Sequence, residues 1–159
     1  MKLDELIDVL RQTAAFPERT SAVEVRQTHI SVVFLTDQHA YKIRKPVALG
    51  FLDFTTLEQR HHDCLEEVRL NRRLAADVYL RVVPVAATAE GRIEMEGSGP
   101  VVEWAVKMRR LSDEATLEHR LARHEDVRGL VRSLGERLAA FHAAADRGPH
   151  VSEFGRYDL

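Results

Sequence analysis

The sequence has very little cysteine and no long apolar run, and each shortage excludes a class of protein. Cys64 is the single cysteine among 159 residues, so an internal disulfide and a cysteine-rich metal site are both impossible. No stretch approaches the roughly 18 consecutive apolar residues of a membrane helix. No basic leader with an apolar core precedes residue 20, which argues against secretion. We therefore predict a cytoplasmic protein with no membrane span.

Excess charge of one sign is also missing, and this argues against a nucleic-acid partner. The formal net charge is −2, with 45% hydrophobic and 30% charged residues, as in an ordinary globular domain. Arg69, Arg72 and Arg73 form one basic cluster that could contact RNA. On a helix, however, their spacing also suits a solvent-exposed face paired with Glu66. We expect no nucleic acid among the partners.

The common motifs of phosphate, metal and hydrolase sites are absent. The chain has no Gly-x-x-x-x-Gly-Lys-Ser/Thr, no Gly-x-Gly-x-x-Gly and no Gly-x-Ser-x-Gly. Among the eight histidines, His61 and His62 are adjacent and His119 and His124 are five apart. Neither spacing places two ligands on one helix face, so no metal site is expected. We interpret Cys64, on a helical face, as a small buried hydrophobic residue.

The periodicity of apolar residues predicts an α+β fold in two parts. Helical spacing of Leu3, Leu6, Ile7 and Leu10 indicates a helix that ends before Pro17. Three strand-like runs follow between residues 22 and 47, and further strands are indicated at "YLRVVPVAATA", "RIEM" and "VVEWAVKM". Between the two groups, Thr55 and Glu58 fit a capping box, followed by a helical face of Leu57, His61, Cys64, Leu65 and Val68 and a helix to about Leu74. After Met108 the pattern is helical throughout.

The stretch "AYKIRKPVALGFLDFTTLEQRHHDCLEEVRLNRRL" places a lysine-bearing strand just before this helix. Strand alternation puts Lys42 and Arg44 on one face and Lys45 on the other. Because Pro46 follows it, Lys45 lies near the strand's end, where a solvated side chain is expected.

On the helix, one of two adjacent glutamates is the better partner for the strand lysine. Glu67 shares a face with Leu70, Asn71 and Leu74, whereas Glu66 lines up with Arg69 and Arg73 on a charged face. A glutamate bordered by leucines can turn inward, and it then needs a cation. We predict that Lys42 contacts Glu67, and that Lys45 and Glu66 are not the pair. The alternative is an unpaired scatter of solvated charges.

The motifs "YKIRKPV", "GFLDFTTLE", "LNRRLAADVYL" and "VKMRRL" resemble the N-terminal part of a bacterial family of aminoglycoside phosphotransferase-like proteins. The similarity extends over most of residues 22 to 146, and some members have a further P-loop ATPase domain downstream. The resemblance implies a protein-kinase-like N-lobe in residues 1–110, with a five-stranded antiparallel sheet and one helix. Residues 111–159 would be the hinge exit and the start of an incomplete helical C-lobe. In such a lobe a strand lysine holds the nucleotide phosphates and a helix glutamate positions it, roles that fall to Lys42 and Glu67.

The same resemblance implies further nucleotide contacts and a missing catalytic centre. The turn from Gln27 to Ser31 would cover the phosphates with the hydroxyls of Thr28 and Ser31, although it has no glycine. The backbone around Met108 and Arg109 would meet adenine. The family's His-Gly-Asp loop, its asparagine and its later aspartate do not occur in the chain. The catalytic residues and the ligands of Mg²⁺ would then lie beyond Leu159, and the expected cofactors are ATP and Mg²⁺.

Two functions follow as expectations. The first is the N-terminal, nucleotide-binding portion of an ATP-dependent small-molecule phosphotransferase. This portion would be inactive alone, and it would be either a fragment or a natural truncation. The sequence does not indicate the phosphate acceptor. The alternative is a noncatalytic nucleotide-binding or regulatory module with the same lobe. The apolar stripe of Leu130, Leu134, Leu138 and Phe141 also predicts self-association through exposed C-terminal helices.

Overall fold

The structure, a computed structural model, describes residues 1–156 and divides the chain into two compact units. The first unit is Met1–Arg110 and the second begins at Leu111. The resemblance implies a boundary at the same position, and its interpretation as the exit from a nucleotide-binding lobe stays a prediction. The end of the expected C-lobe segment, residues 157–159, lies outside the described residues.

The first unit is an α+β fold built on an antiparallel sheet. In chain order its elements are α1 (Leu3–Leu10), β1 (Glu24–Gln27), β2 (Ser31–Leu35), β3 (His39–Arg44), β4 (Ala48–Leu49), β5 (Leu52–Asp53), α2 (Leu57–Ala75), β6 (Tyr79–Ala87), β7 (Ile93–Met95) and β8 (Val101–Arg109). The second unit is helical, with α3 (Leu117–Ala122), α4 (Arg128–Ala143) and α5 (Pro149–Glu153).

The main sheet has six strands, which match the six strand-like runs of the sequence and are one more than the resemblance implies. Their spatial order is β1-β2-β3-β8-β6-β7, and all neighbours are antiparallel. The sixth strand is the three-residue β7, which pairs with the end of β6 from Val85 to Ala87. The strands β4 and β5 form a separate pair that the sequence analysis did not predict. Strands of two residues are too short to show a period.

The two faces of the sheet contact different helices. Tyr41 and Ile43 point to a buried apolar cluster that includes Leu6, Ile7 and Leu10 of α1. Complete burial of one such side chain contributes about 1.5–3 kcal/mol to folding. Because side chains alternate along β3, Lys42 and Arg44 face the other way, toward α2.

The N-terminus of α2 is one residue later than predicted. Thr56, not Thr55, is the N-cap, and its hydroxyl accepts a hydrogen bond from the Gln59 amide at 3.2 Å. The Gln59 side chain accepts in return from the Thr56 amide. The Thr55 hydroxyl instead donates to Asp53 Oδ1 at 2.7 Å. The capping box of Thr55 and Glu58 was therefore wrong by one residue.

The side of α2 that faces the sheet is more polar than the predicted apolar face. Leu65 was placed on the buried face but is 47% exposed. The residues that point inward include Arg60, Cys64 and Glu67, which follow the i, i+4, i+7 spacing of one helix side. An apolar periodicity could not reveal this side, because two of the three residues are charged.

The second unit has no buried residue in the part of the chain that the structure describes. Along α4, Leu130, Leu134 and Leu138 remain 37–50% exposed. None of the helices in residues 1–156 is both long enough and apolar enough to cross a bilayer.

Candidate functional site

The centre of the candidate site is an ion pair between β3 and α2. Lys42 Nζ donates a hydrogen bond to Glu67 Oε1 at 2.8 Å. The Glu67 side chain is 9% exposed and the Lys42 side chain 25%. The glutamate side chain is thus largely buried, whereas a quarter of the lysine side chain is exposed to solvent. The predicted contact between Lys42 and Glu67 is confirmed.

The rejected pairing of Lys45 with Glu66 is absent from the described ion pairs. Glu66 instead pairs with Arg69 at 2.6 Å on an exposed part of α2, as the sequence predicts. The hydrogen bonds from Arg69 lower the pKa of Glu66 and raise that of Arg69. Lys45 contributes its amide to a hydrogen bond with the Ile30 carbonyl oxygen at 2.9 Å. The strand register deduced from alternation is therefore correct.

Arg44 is a second cation in the site, for which no role was predicted from the sequence. Its Nη2 donates to Glu67 Oε2 at 2.5 Å and its Nε donates to Asp63 Oδ2 at 2.5 Å. Its Nη1 donates to the buried Ser31 hydroxyl at 2.9 Å. The guanidinium also lies 5.4 Å from the centre of the Phe54 ring, within the range of a cation–π contact. Its position two residues after Lys42, on the same face of the strand, was the sequence feature that could have identified it as part of the site.

The four charged side chains of the site balance one another. Lys42 and Arg44 supply two positive charges, and Asp63 and Glu67 supply two negative charges four residues apart on α2. An anion that approached Lys42 from solvent would meet a neutral cluster rather than a net negative one. Lys42 is the more exposed of the two cations.

Buried groups beside the cluster have raised pKa values. Burial raises the pKa of the Cys64 thiol to about 12, although the charge of Arg44 partly opposes the shift. Burial and the Glu67 carboxylate raise the pKa of Tyr79. Cys64 is fully buried and remains a thiol at neutral pH, so it has no nucleophilic character. The prediction of a small buried hydrophobic residue is confirmed.

The turn between β1 and β2 is less open to phosphate than the resemblance implies. Ser31 is buried and its hydroxyl accepts from Arg44, while its amide donates to Thr28 Oγ1 at 3.1 Å. The Thr28 amide donates to the Ser31 carbonyl oxygen at 2.9 Å. Both amides are thus already bonded within the turn, and the Ser31 hydroxyl is bonded to Arg44 of β3. Ser31 is a ligand of Arg44 in this structure, and the contact expected between Ser31 and phosphate is unfavourable.

The backbone expected to meet adenine is also occupied. Met108 lies within β8, paired with Ala40 and with Tyr79. The Arg109 amide donates to the Val78 carbonyl oxygen at 2.9 Å, and its guanidinium pairs with Asp77 at 2.6 Å. An adenine at Met108 or Arg109 would have to displace hydrogen bonds of the sheet, so the geometry disfavours this expectation.

A second polar cluster lies on the opposite face of the sheet and was not predicted. The Tyr41 hydroxyl lies 3.1 Å from both Glu18 Oε2 and Glu96 Oε1. Lys107 Nζ donates to Glu96 at 2.6 Å, and His39 Nδ1 lies 2.6 Å from Glu18. Its members come from separated segments, so sequence spacing gives no signal for it. Within residues 1–156, no group of three or more His, Cys, Asp or Glu side chains is arranged to hold a metal ion.

The relatives found for this chain are uncharacterized mycobacterial proteins. The chain is 38% identical over 133 residues to uncharacterized proteins from two strains of Mycobacterium tuberculosis and from one strain of Mycobacterium bovis. The match covers 84% of this chain and 25% of each relative, so the chain corresponds to about a quarter of their length. No family model matches the chain. No solved structure matches it either.

Proposed function

We propose that the first unit is the nucleotide-binding portion of an ATP-dependent small-molecule phosphotransferase, with a kinase-like N-lobe of the aminoglycoside phosphotransferase-like kind. The observation that supports this most directly is the 2.8 Å contact between Lys42 on the third strand and Glu67 on the next long helix. In kinases, a lysine on the third strand pairs with the α and β phosphates, and a glutamate of the following helix positions it.

The topology around this contact is consistent with such a lobe. Three consecutive strands form a meander, α2 follows, and β8 then returns to lie beside β3. Lys42 lies on β3 directly opposite Val106 of β8, near the middle of the sheet. A lysine held in the middle of a sheet has a fixed backbone, which favours precise placement of its ammonium.

The proposed role of each residue is limited to binding. Lys42 would neutralise phosphate charge as a compact ammonium, and Glu67 would hold its side chain on the α2 side of the sheet. Bound Mg²⁺ would supply further neutralisation of the phosphates, but this chain has no motif for its ligands. We place those ligands and the catalytic base outside these 159 residues, as the resemblance implies. The phosphate acceptor would also be bound there.

Titration with ATP tests the proposal on the 159-residue chain. We expect weak binding by calorimetry that Mg²⁺ improves only slightly, because residues 1–156 contain no group of carboxylates arranged to hold a metal ion. The variant Lys42→Met should lower the affinity by about tenfold or more, as expected when a charge-assisted hydrogen bond is lost. Lys45→Met, the matched control one strand face away, should bind like the wild type.

Two results would contradict the proposal. One is unchanged affinity in Lys42→Met. The other is an equal loss in Lys42→Met and Lys45→Met, which would indicate unspecific attraction of the triphosphate by positive charge. Circular dichroism of both variants would show that each remains folded.

A further inference from the structure

Glu67 has two cationic partners, and they bind different oxygens. Lys42 contacts Oε1 and Arg44 contacts Oε2. Removal of either cation would leave the carboxylate with the other one. If a buried carboxylate had only one cationic partner, removal of that cation would leave an unpaired buried charge, which is strongly destabilising.

The two cations are held very differently. Arg44 donates to Glu67, Asp63 and Ser31, and its side chain is 9% exposed. Lys42 has one hydrogen bond to a described residue and a side chain with 25% exposure. The lysine is therefore the partner that a ligand can recruit, while the arginine is fixed by three bonds to two separate elements.

We propose that Arg44 is a positioning residue that anchors Glu67 and α2 on the sheet independently of Lys42. For the role of Lys42 this inference rests on the proposed function. When a polyphosphate shares the Lys42 ammonium with Glu67 Oε1, Arg44 keeps the second carboxylate oxygen paired. The helix consequently stays docked on β3 both with and without ligand, and the binding site is preassembled.

Hydrogen–deuterium exchange of the ligand-free chain, followed by mass spectrometry, tests the anchor. Arg44→Gln should accelerate exchange in residues 57–75 by about tenfold or more, because three charge-assisted hydrogen bonds are lost. Arg44→Lys should give an intermediate rate, since one ammonium cannot reproduce the fork of the guanidinium. Lys42→Met should stay within about twofold of the wild type, like the control Arg69→Gln, whose exposed ion pair lies on the same helix.

The affinity for ATP is a second measurement. A loss of affinity in Arg44→Gln with partial recovery in Arg44→Lys would link the anchor to the binding site. Arg44→Gln should lose affinity by about tenfold although Lys42 is intact, and Arg44→Lys should recover part of it. If Arg44→Gln does not fold, Arg44→Lys and Lys42→Met still decide the question by their exchange rates.

The inference is overturned if Lys42→Met loosens residues 57–75 as much as the Arg44 variants do. It is also overturned if both Arg44 variants keep the exchange rates of the wild type. Failure of the proposed function is a separate result: a wild-type chain that does not bind ATP would refute that function, whereas the ligand-free exchange rates would still test the anchor.

Discussion

Replacement of Tyr41 by phenylalanine should change how the stability of the first unit depends on alkaline pH. Tyr41 is completely buried, and its hydroxyl lies 3.1 Å from the carboxylates of Glu18 and Glu96. Burial raises the pKa of this phenol well above its ordinary value, and the negative charges of both glutamates raise it further. The folded protein therefore holds the Tyr41 proton over a pH range in which the unfolded chain releases it.

The sign and size of the effect follow from this difference. Because the folded-state pKa is raised, the stabilisation is fully present below pH ~10, where an unfolded tyrosine titrates, and it is lost as the pH rises toward the folded value. The loss is about 1.36 kcal/mol per pH unit for one proton. At neutral pH, Tyr41→Phe loses the one hydrogen bond that the hydroxyl proton can donate to these carboxylates, worth about 1.5–3 kcal/mol for a charged acceptor. The stabilities of the two proteins should consequently converge roughly one to two units above pH 10.

Urea unfolding at a series of pH values would measure the convergence. Trp104 is the single tryptophan and stacks on His61 with ring centres 3.8 Å apart, so its fluorescence should report the packing of α2 on β8. The difference in unfolding free energy should be constant between pH 8 and pH 9, which serves as the internal control, and should shrink above pH ~10. Parallel curves up to pH ~11.5 would contradict this expectation, because they would mean that Tyr41 titrates alike in both states.

Three further outcomes follow from other parts of the molecule. Glu103→Gln should lower the unfolding free energy by about 3 kcal/mol, because Arg60 and Glu103 form a 2.9 Å pair with side chains only 10% and 5% exposed; a loss below ~1 kcal/mol in urea titrations would contradict this. Cys64 should react with a thiol reagent at pH ~8 only as fast as the protein opens, since burial raises its pKa to about 12; immediate reaction in the native protein would show that the site is accessible. The wild-type chain should self-associate in light scattering and Leu134→Lys should shift it toward monomer, because Leu134 is exposed on α4; a wild-type chain that is already a uniform monomer would exclude this.

The Lys42–Glu67 contact could be predicted because it depends on two simple periods. The two-residue period of β3 selects Lys42 over Lys45, and the 3.6-residue period of α2 selects Glu67 over Glu66. Both choices use residues within one element, so no tertiary information is needed. The nucleotide-binding role of the pair stays a prediction.

The contacts of Arg44 could not be predicted from these periods. Alternation places it on the same strand face as Lys42, but its partners belong to two other elements: Asp63 and Glu67 to α2, and Ser31 to β2. Which acceptors meet a long side chain depends on the packing of α2 across the sheet, and no sequence period encodes that packing. The cluster around Tyr41 could not be predicted for the same reason, since Glu18 and Glu96 lie far apart in the chain.

The misplaced cap of α2 has a different cause. Thr55 with Glu58 and Thr56 with Gln59 both match the capping pattern, so the sequence alone is degenerate. The structure selects the second because Asp53 accepts hydrogen bonds from both the amide and the hydroxyl of Thr55. A competing acceptor two residues upstream therefore decided the start of the helix.

The position of β8 in the middle of the sheet has a consequence for synthesis of the chain. Lys42 on β3 is paired with Val106, so at about 5–20 residues per second the ribosome needs roughly 3–13 s to supply the partner strand. Throughout that interval β3 and then β6 would present unpaired backbone edges, to which another nascent chain could bind. The strand that holds the candidate site is thus among the last to be enclosed, and its assembly depends on closure of a long loop rather than on local contacts.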